Sequence, residues 1–240
     1  MFVIGIGPGN PQDRTHRAER AVSCCSTIVG YAPYVESIAD LCEGKDTYTS
    51  GMMQEADRCR MALQKAVAGA TVALVSSGDA GVYGMAGLAM EMAAAENLSV
   101  EIEVVAGVSA ANAAAAQLGA PLMLDSATIS LSDLLVPWET IITRLQAVAA
   151  ADMVVSLYNP RSKKRVRQLE EAAAIFRHYR PGTTPVGIVT AAGDKNQQVV
   201  YSDLEHFLDE EIGMRSLVII GNSTTRLIDG RMVTPRGYYR

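Results

Sequence analysis

From Ser76 to Gly87 the chain reads SSGDAGVYGMAG, with glycine at 78, 81, 84 and 87, one acid at Asp79 and one aromatic at Tyr83. The apolar run TVALVSS (71–77) leads into it and a helical pattern follows, which predicts a strand–loop–helix corner. Glycines at such a corner leave backbone N–H groups and a helix N-terminus bare, so a small ligand can lie against the main chain. A tight turn with helix-packing glycines is the competing reading. Four glycines in ten residues exceed what a turn needs.

A second glycine run, GIGPGN (5–10), ends the first strand. Its spacing is G-x-G-x-G, with Pro8 where a pyrophosphate would be cradled. The second strand closes on Gly30-Tyr31-Ala32 and lacks the acid that holds a nucleotide ribose. NAD, FAD and a Rossmann-type methyltransferase are disfavoured. No nucleophile–base pair stands out. Cys24, Cys25, Cys42 and Cys59 lack C-x-x-C spacing, and His16, His178 and His206 are scattered over expected helices. Neither a metal centre nor a disulfide framework is expected, and a reducing compartment is. The basic run Arg161, Lys163, Lys164, Arg165, Arg167 reads as the first turns of a helix, where each charge opposes the macrodipole by roughly 0.3–1 kcal/mol. It is either a solvated face or, through Arg161, a bidentate carboxylate clamp with Lys163 and Lys164 beside it.

The elements that position these residues alternate. Strands are expected at 2–7, 26–31, 71–77 and 100–106, with helices near 15–25, 33–41, 53–69, 85–96 and 108–119. Continuous apolar strands between helices indicate a mainly parallel sheet covered on both faces. After Pro121 come strands at 126–132, 153–158, 184–190, 197–202 and 215–222, helices from Pro137 to about Ala150 and from Ser162 to His178, and a hairpin turning on Asp229-Gly230. Some of these strands follow one another without a helix, so a mixed sheet is expected here. The break near Gly119–Pro121 separates an N-terminal α/β domain (1–119) from a C-terminal α/β domain (120–240). Five loops, GPGN, SSGDAGVYG, AGVSA, YNPRS and TAAGD, fall at carboxyl ends of strands, where open α/β sheets bind ligands. One cleft between two domains would gather them.

The chain has 240 residues, 49% of them hydrophobic, and a net charge of −5. That is enough apolar material for two cores, and its sign argues against a nucleic-acid surface. The apolar runs are strand-sized, so no membrane span is expected. FVIGIG at the N-terminus has no basic n-region, which points away from a signal peptide and toward a cytoplasmic protein.

GIGPGN with Thr15, then SSGDAGVYGMAG, then AGVSA, resemble the tetrapyrrole methylase family, two-domain methyltransferases that use S-adenosylmethionine. APLMLDSATISLSDLLVPW (120–138), LYNPRS (157–162), SLVIIGN (216–222) and TPRGY (234–238) are similar to the precorrin-3B C17-methyltransferases of cobalamin biosynthesis. The resemblance implies a two-domain class III methyltransferase fold, a homodimer, an anionic tetrapyrrole substrate with or without cobalt, and S-adenosylmethionine in the interdomain cleft, leaving as S-adenosylhomocysteine. Carried over by residue, it places Pro8, Ser77, Gly78, Asp79, Val82, Tyr83, Ser109, Ala110, Tyr158, Asn159, Thr190, Ala191 and Ala192 at the cofactor. Ser109 can equally cap the Ala-rich helix, and Asn159-Pro160 can simply end a strand.

Tyr31, Arg161, Lys163 and Arg236 are the substrate candidates, Tyr31 with Tyr34 being either cavity lining or ordinary packing. The family reaction also contracts the macrocycle, which calls for proton transfer. Asp125, Ser132 and Asp133 are candidates for that, although Asp133 can also cap the following turn. The chain departs from the family at Asn10, where many relatives carry an acid, and at GYAPY (30–34), where uroporphyrinogen methylases have an acid–arginine motif. Other expectations kept open are another precorrin methylase such as the C11 enzyme, a ribosomal RNA 2′-O-methylase and a nucleotide-sensing module.

Overall fold

The computed structural model describes residues 1–238. It divides into two compact units, Met1–Ala110 and the remainder from Ala111 onward, so the division precedes the Gly119–Pro121 break. The first unit runs β1 (Phe2–Gly5), α1 (His16–Ser23), β2 (Thr27–Tyr31), α2 (Ala32–Glu36), β3 (Asp46–Ser50), α3 (Glu55–Val67), β4 (Val72–Ser76), α4 (Ala86–Ala95), β5 (Glu103–Val105) and the start of α5 (Ala110–Leu118). Its sheet has the order β3-β2-β4-β1-β5 with every pair parallel.

Burial in this sheet alternates with the pleat. Val3, Val29 and Leu74 join Cys59, Ala62 and Ala86 of the two helices on one face; Ile4, Ile28 and Val75 join Ala18 and Val22 of α1 on the other. With both faces covered, no polar face interrupts the strands, which is why they read as continuous apolar runs. Thr15 caps α1 by accepting the Ala18 N–H at 3.0 Å. Edge strand β3, DTYTS, escaped the sequence reading because most of it is exposed and carries little apolar pattern.

The second unit continues with β6 (Gly119–Ala120), β7 (Ser126–Ser130), α6 (Trp138–Ala150), β8 (Val154–Tyr158), α7 (Arg167–Tyr179), β9 (Pro185–Thr190), β10 (Gln198–Asp203), β11 (Ser216–Ile220), β12 (Arg226–Ile228) and β13 (Arg231–Val233). Its main sheet is mixed, in the order β10-β9-β11-β8-β7 with only β7 and β8 parallel neighbours. Leu145 of α6 and Phe176 of α7 fill the core on one face with Leu157, Ile188 and Val218. On the other face Leu118 of α5 lies so near Gly187 that a Cβ there would sit 2.4 Å from its Cδ1. The hairpin turns as expected, with Asp229 and Gly230 both at positive φ, and β13 adds Gly119–Ala120 as a parallel third strand. Gly119 therefore stops α5 and starts β6.

Two expectations need correction. The helix expected from Ser162 starts at Arg167; Ser162 N–H donates to Arg165 O and Arg165 N–H to Ser162 Oγ, closing a separate turn after Pro160. Arg161 to Arg165 thus precede the helix, and of the basic run only Arg167 lies in its first turn. His206 is not helical but precedes a short 3-10 turn and pairs with Asp203.

Candidate functional site

In the first unit the carboxyl ends of β4, β1 and β5 are adjacent, and their loops lock together through the main chain. Gly7 and Gly78 exchange N–H···O bonds of 3.1 and 2.7 Å. A Cβ on Gly5 would lie 2.6 Å from Gly78 O, and one on Gly107 would lie 2.2 Å from the same oxygen. Only glycine permits that approach. Asp79 braces the assembly: Oδ1 accepts the Gly81 N–H at 2.8 Å and Oδ2 the Gly107 N–H at 2.9 Å. Both carboxylate oxygens are thus engaged within the loops. Thr15 Oγ1 donates to Ala106 O at 3.3 Å and ties the third loop to α1.

Around this frame Ser77, Val82, Tyr83 and Gly81 are exposed, Gly78 is buried, and Pro8, Ser109 and Ala110 are half-buried. Tyr83 sits at φ +52°, a left-handed conformation that costs a non-glycine residue roughly 1–2 kcal/mol. Strain of this kind persists where the surroundings hold it, commonly at ligand sites. Ser76, which sequence reasoning passed over, is buried at the end of β4 with its hydroxyl lacking a partner among the described residues.

In the second unit β9 runs antiparallel to β11 and β11 antiparallel to β8, so the carboxyl ends of β7, β8 and β9 share one edge. Tyr158 Oη accepts the Ala111 N–H at 2.9 Å. Asn159, at φ +50°, donates from Nδ2 to Ser130 Oγ at 3.0 Å, and the same oxygen accepts the Ser132 N–H. Ala191, at φ +53°, follows Thr190, whose hydroxyl shares a 2.7 Å bond with Ser216 Oγ. Ala192 is half-buried in the same loop.

Arg165, absent from the sequence candidates, donates from Nη2 to Asn159 O at 2.8 Å. Its Nε and that of Arg161 are both buried without partners, and the nearest carboxylate to Arg161, Glu170, stands 3.9 Å away. Lys163 is exposed; exposed Arg236 stacks 5.9 Å above Tyr238. Asp125 is exposed, and Asp133 accepts a 2.8 Å bond from Gln168 Nε2. Tyr31, ending β2, packs edge-on to Tyr34 at 5.1 Å.

Burial pushes the Cys25 and Cys59 thiols up to about 11, so both stay protonated at neutral pH and neither is a ready nucleophile. Among the described residues no group of three or more His, Cys, Asp or Glu could hold a metal, and no helix is long and apolar enough to cross a membrane. The geometry offers backbone donors and acceptors in close-packed loops on one unit, and unsatisfied guanidinium N–H groups on the other.

The tetrapyrrole (corrin/porphyrin) methylase model matches residues 1–208. The chain belongs to the tetrapyrrole methylase family. This tetrapyrrole methylase is 47% identical over 244 residues to "Cobalt-factor III methyltransferase" of Priestia megaterium, covering all of the chain but 45% of that relative. The chain thus spans less than half of that longer protein. It is 44% identical to "Probable cobalt-factor III C(17)-methyltransferase" of Salmonella typhimurium, with 99% of each chain covered. Among solved structures, the methyltransferase CobJ superposes with a TM-score of 0.91 at 36% identity, covering 98% of each chain.

Proposed function

We propose that the protein transfers a methyl group from S-adenosylmethionine to C17 of cobalt-factor III, the cobalt-bound counterpart of precorrin-3B, with contraction of the macrocycle, in cobalamin biosynthesis. The observation that carries this reading is the end-to-end match with the Salmonella relative, 99% of each chain at 44% identity. Cobalt belongs to the substrate in this reading.

The sulfonium donor supplies an electrophilic methyl; the protein's share is holding both partners in line and excluding water. The main-chain frame suits the donor. Its loops approach at distances that exclude side chains, and it leaves Ser77, Val82 and Tyr83 exposed along one edge. Pro8, Gly78, Ser109 and Ala110 would complete that wall, with Asp79 acting mainly as the brace that keeps the wall in shape. In the second unit Tyr158, Asn159, Thr190, Ala191 and Ala192 are the donor-binding candidates that the family resemblance implies.

Arg161, with its unpaired Nε, suits a carboxylate of the substrate, and Arg165 suits a second. Lys163, Arg236 and Tyr31 are supporting candidates. Ser132, Asp133 and Asp125 remain the candidates for the proton transfers of contraction. The protein is read as a homodimer, as its family resemblance implies, and as cytoplasmic from its unpaired cysteines.

Incubation with S-adenosylmethionine and cobalt-factor III, followed by absorbance and product mass, should show the gain of one methyl. A gain on metal-free precorrin-3B alone would reassign the substrate. No gain on either would overturn the reading.

A further inference from the structure

The first unit buries a positive charge that is paired with no carboxylate among the described residues. Arg58 lies in the first half of α3 and is 4% exposed. Its Nε donates to Ser50 Oγ and its Nη2 to Gly51 O, both at 2.8 Å, while Nη1 stands 3.4 Å from Met85 Sδ. The guanidinium sits 5.8 Å from the centroid of the Tyr31 ring. Every one of these partners is neutral. A guanidinium has five N–H donors and these bonds engage three, with no carboxylate pairing among the described residues.

Such a residue is costly to keep. Burying a cation against neutral groups forfeits hydration without regaining a full counter-charge. Its place near the N-terminus of α3 adds the positive end of the helix dipole, and Glu55 and Asp57 on that turn stay exposed. Methionine or leucine would fill the same space at less cost. The surroundings indicate what the charge is for. Tyr31 ends β2, Ser50 ends β3 and Met85 closes the loop after β4, so Arg58 underlies the same sheet edge as the glycine loops. Beside it, Met52 and Met53 are 59% and 72% exposed, and Met53 is held at φ +63°. This edge presents an apolar surface with a fixed cation beneath it.

We propose that Arg58 is a specificity-determining positioning residue, whose unbalanced charge beneath Tyr31 and the Ser50–Met53 turn orients a flat, carboxylate-bearing substrate on that edge. The charge acts through the ring and the turn, since in a poorly polarisable setting attraction extends over several ångströms without contact. The inference rests on the tetrapyrrole reading only for what bears the carboxylates.

The test compares wild type, Arg58→Met and Arg58→Lys in thermal melting, calorimetric S-adenosylmethionine affinity, and KM and kcat for cobalt-factor III. Fluorescence quenching of uroporphyrin, a porphyrin ringed by carboxylates, is measured on the same three proteins. Removing an uncompensated charge should leave the melting temperature level or higher and donor affinity within about twofold, while KM and the uroporphyrin dissociation constant rise by about tenfold. Arg58→Lys should recover most of that loss, and kcat should change less than KM. An unchanged KM and uroporphyrin affinity in Arg58→Met would overturn the proposal. So would a misfolded Arg58→Met, or parallel losses of stability and both affinities, which mark a structural strut. A wild type that binds uroporphyrin but methylates neither tetrapyrrole would defeat the functional reading and leave the Arg58 comparison decisive on the porphyrin alone.

Discussion

At the scale of single residues, Asp79 braces from within the loops proposed to form the cofactor wall. Its two oxygens take the Gly81 and Gly107 N–H groups, which belong to different loops. Replacing it with alanine strands both donors, at about 1–3 kcal/mol for each that cannot find water. Asp79→Ala should therefore weaken S-adenosylmethionine binding by roughly tenfold to a hundredfold and lower the melting temperature as well. Asp79→Asn keeps one acceptor oxygen and should fall between. Calorimetry on the three proteins checks this; an affinity equal to wild type in Asp79→Ala would remove the residue from the site altogether. Arg58 and Arg165 teach a complementary lesson. Each lies in a charged stretch, EADRCR or RSKKRVR. Only the fold buries Arg58 among neutral partners and leaves the Nε of Arg161 and of Arg165 buried without a partner among the described residues.

At the scale of elements, what the chain disclosed follows from how strongly local chemistry constrains the backbone. Apolar strands covered on both faces and glycine loops at their carboxyl ends are dictated locally, so the parallel sheet, the mixed sheet and the Asp229-Gly230 turn were legible in the sequence. Edge strand β3 was not, because an exposed edge needs no apolar alternation. Nor was the late start of α7, where the Ser162–Arg165 turn competes with a helix that the residue types would accept. The glycines of the loop likewise divide by role in a way spacing does not reveal. A Cβ on Gly107 would meet Gly78 O at 2.2 Å, whereas one on Gly87 in α4 meets nothing within 4 Å. Gly107→Ala must force the β4 and β5 loops apart and should cost several times the ~1 kcal/mol scale of a typical substitution, together with donor binding. Gly87→Ala should instead raise stability by up to about 1 kcal/mol through helix propensity. Denaturant unfolding separates the two; equal effects would mean that close packing of these loops is not what the glycines provide.

At the scale of the whole molecule, a net charge of −5 would give the polyanionic substrate proposed above no general attraction, so in that reading recognition rests on local cations. The same local character governs stability against pH. The Asn196 N–H and the Arg215 guanidinium hold Asp194 below the ordinary carboxyl value of 3.8. For Asp203 burial pulls upward, but the backbone and ring of His206 outweigh it and the net direction is down. The hydrogen bond and charge of Asp203 raise His206 above its ordinary 6.5. A depressed carboxyl contributes stability that is complete above 3.8 and lost as pH falls through its folded value. A raised imidazole contributes stability that is complete below 6.5 and lost as pH climbs through its folded value. These three groups together therefore favour a plateau between 3.8 and 6.5. All three are solvent-accessible, so screening keeps their effect on the melting temperature small. Melting curves across pH should show a small decline on the alkaline side that Asp203→Asn removes and that high salt flattens. A decline of the same size in Asp203→Asn would assign the alkaline loss to groups other than this pair.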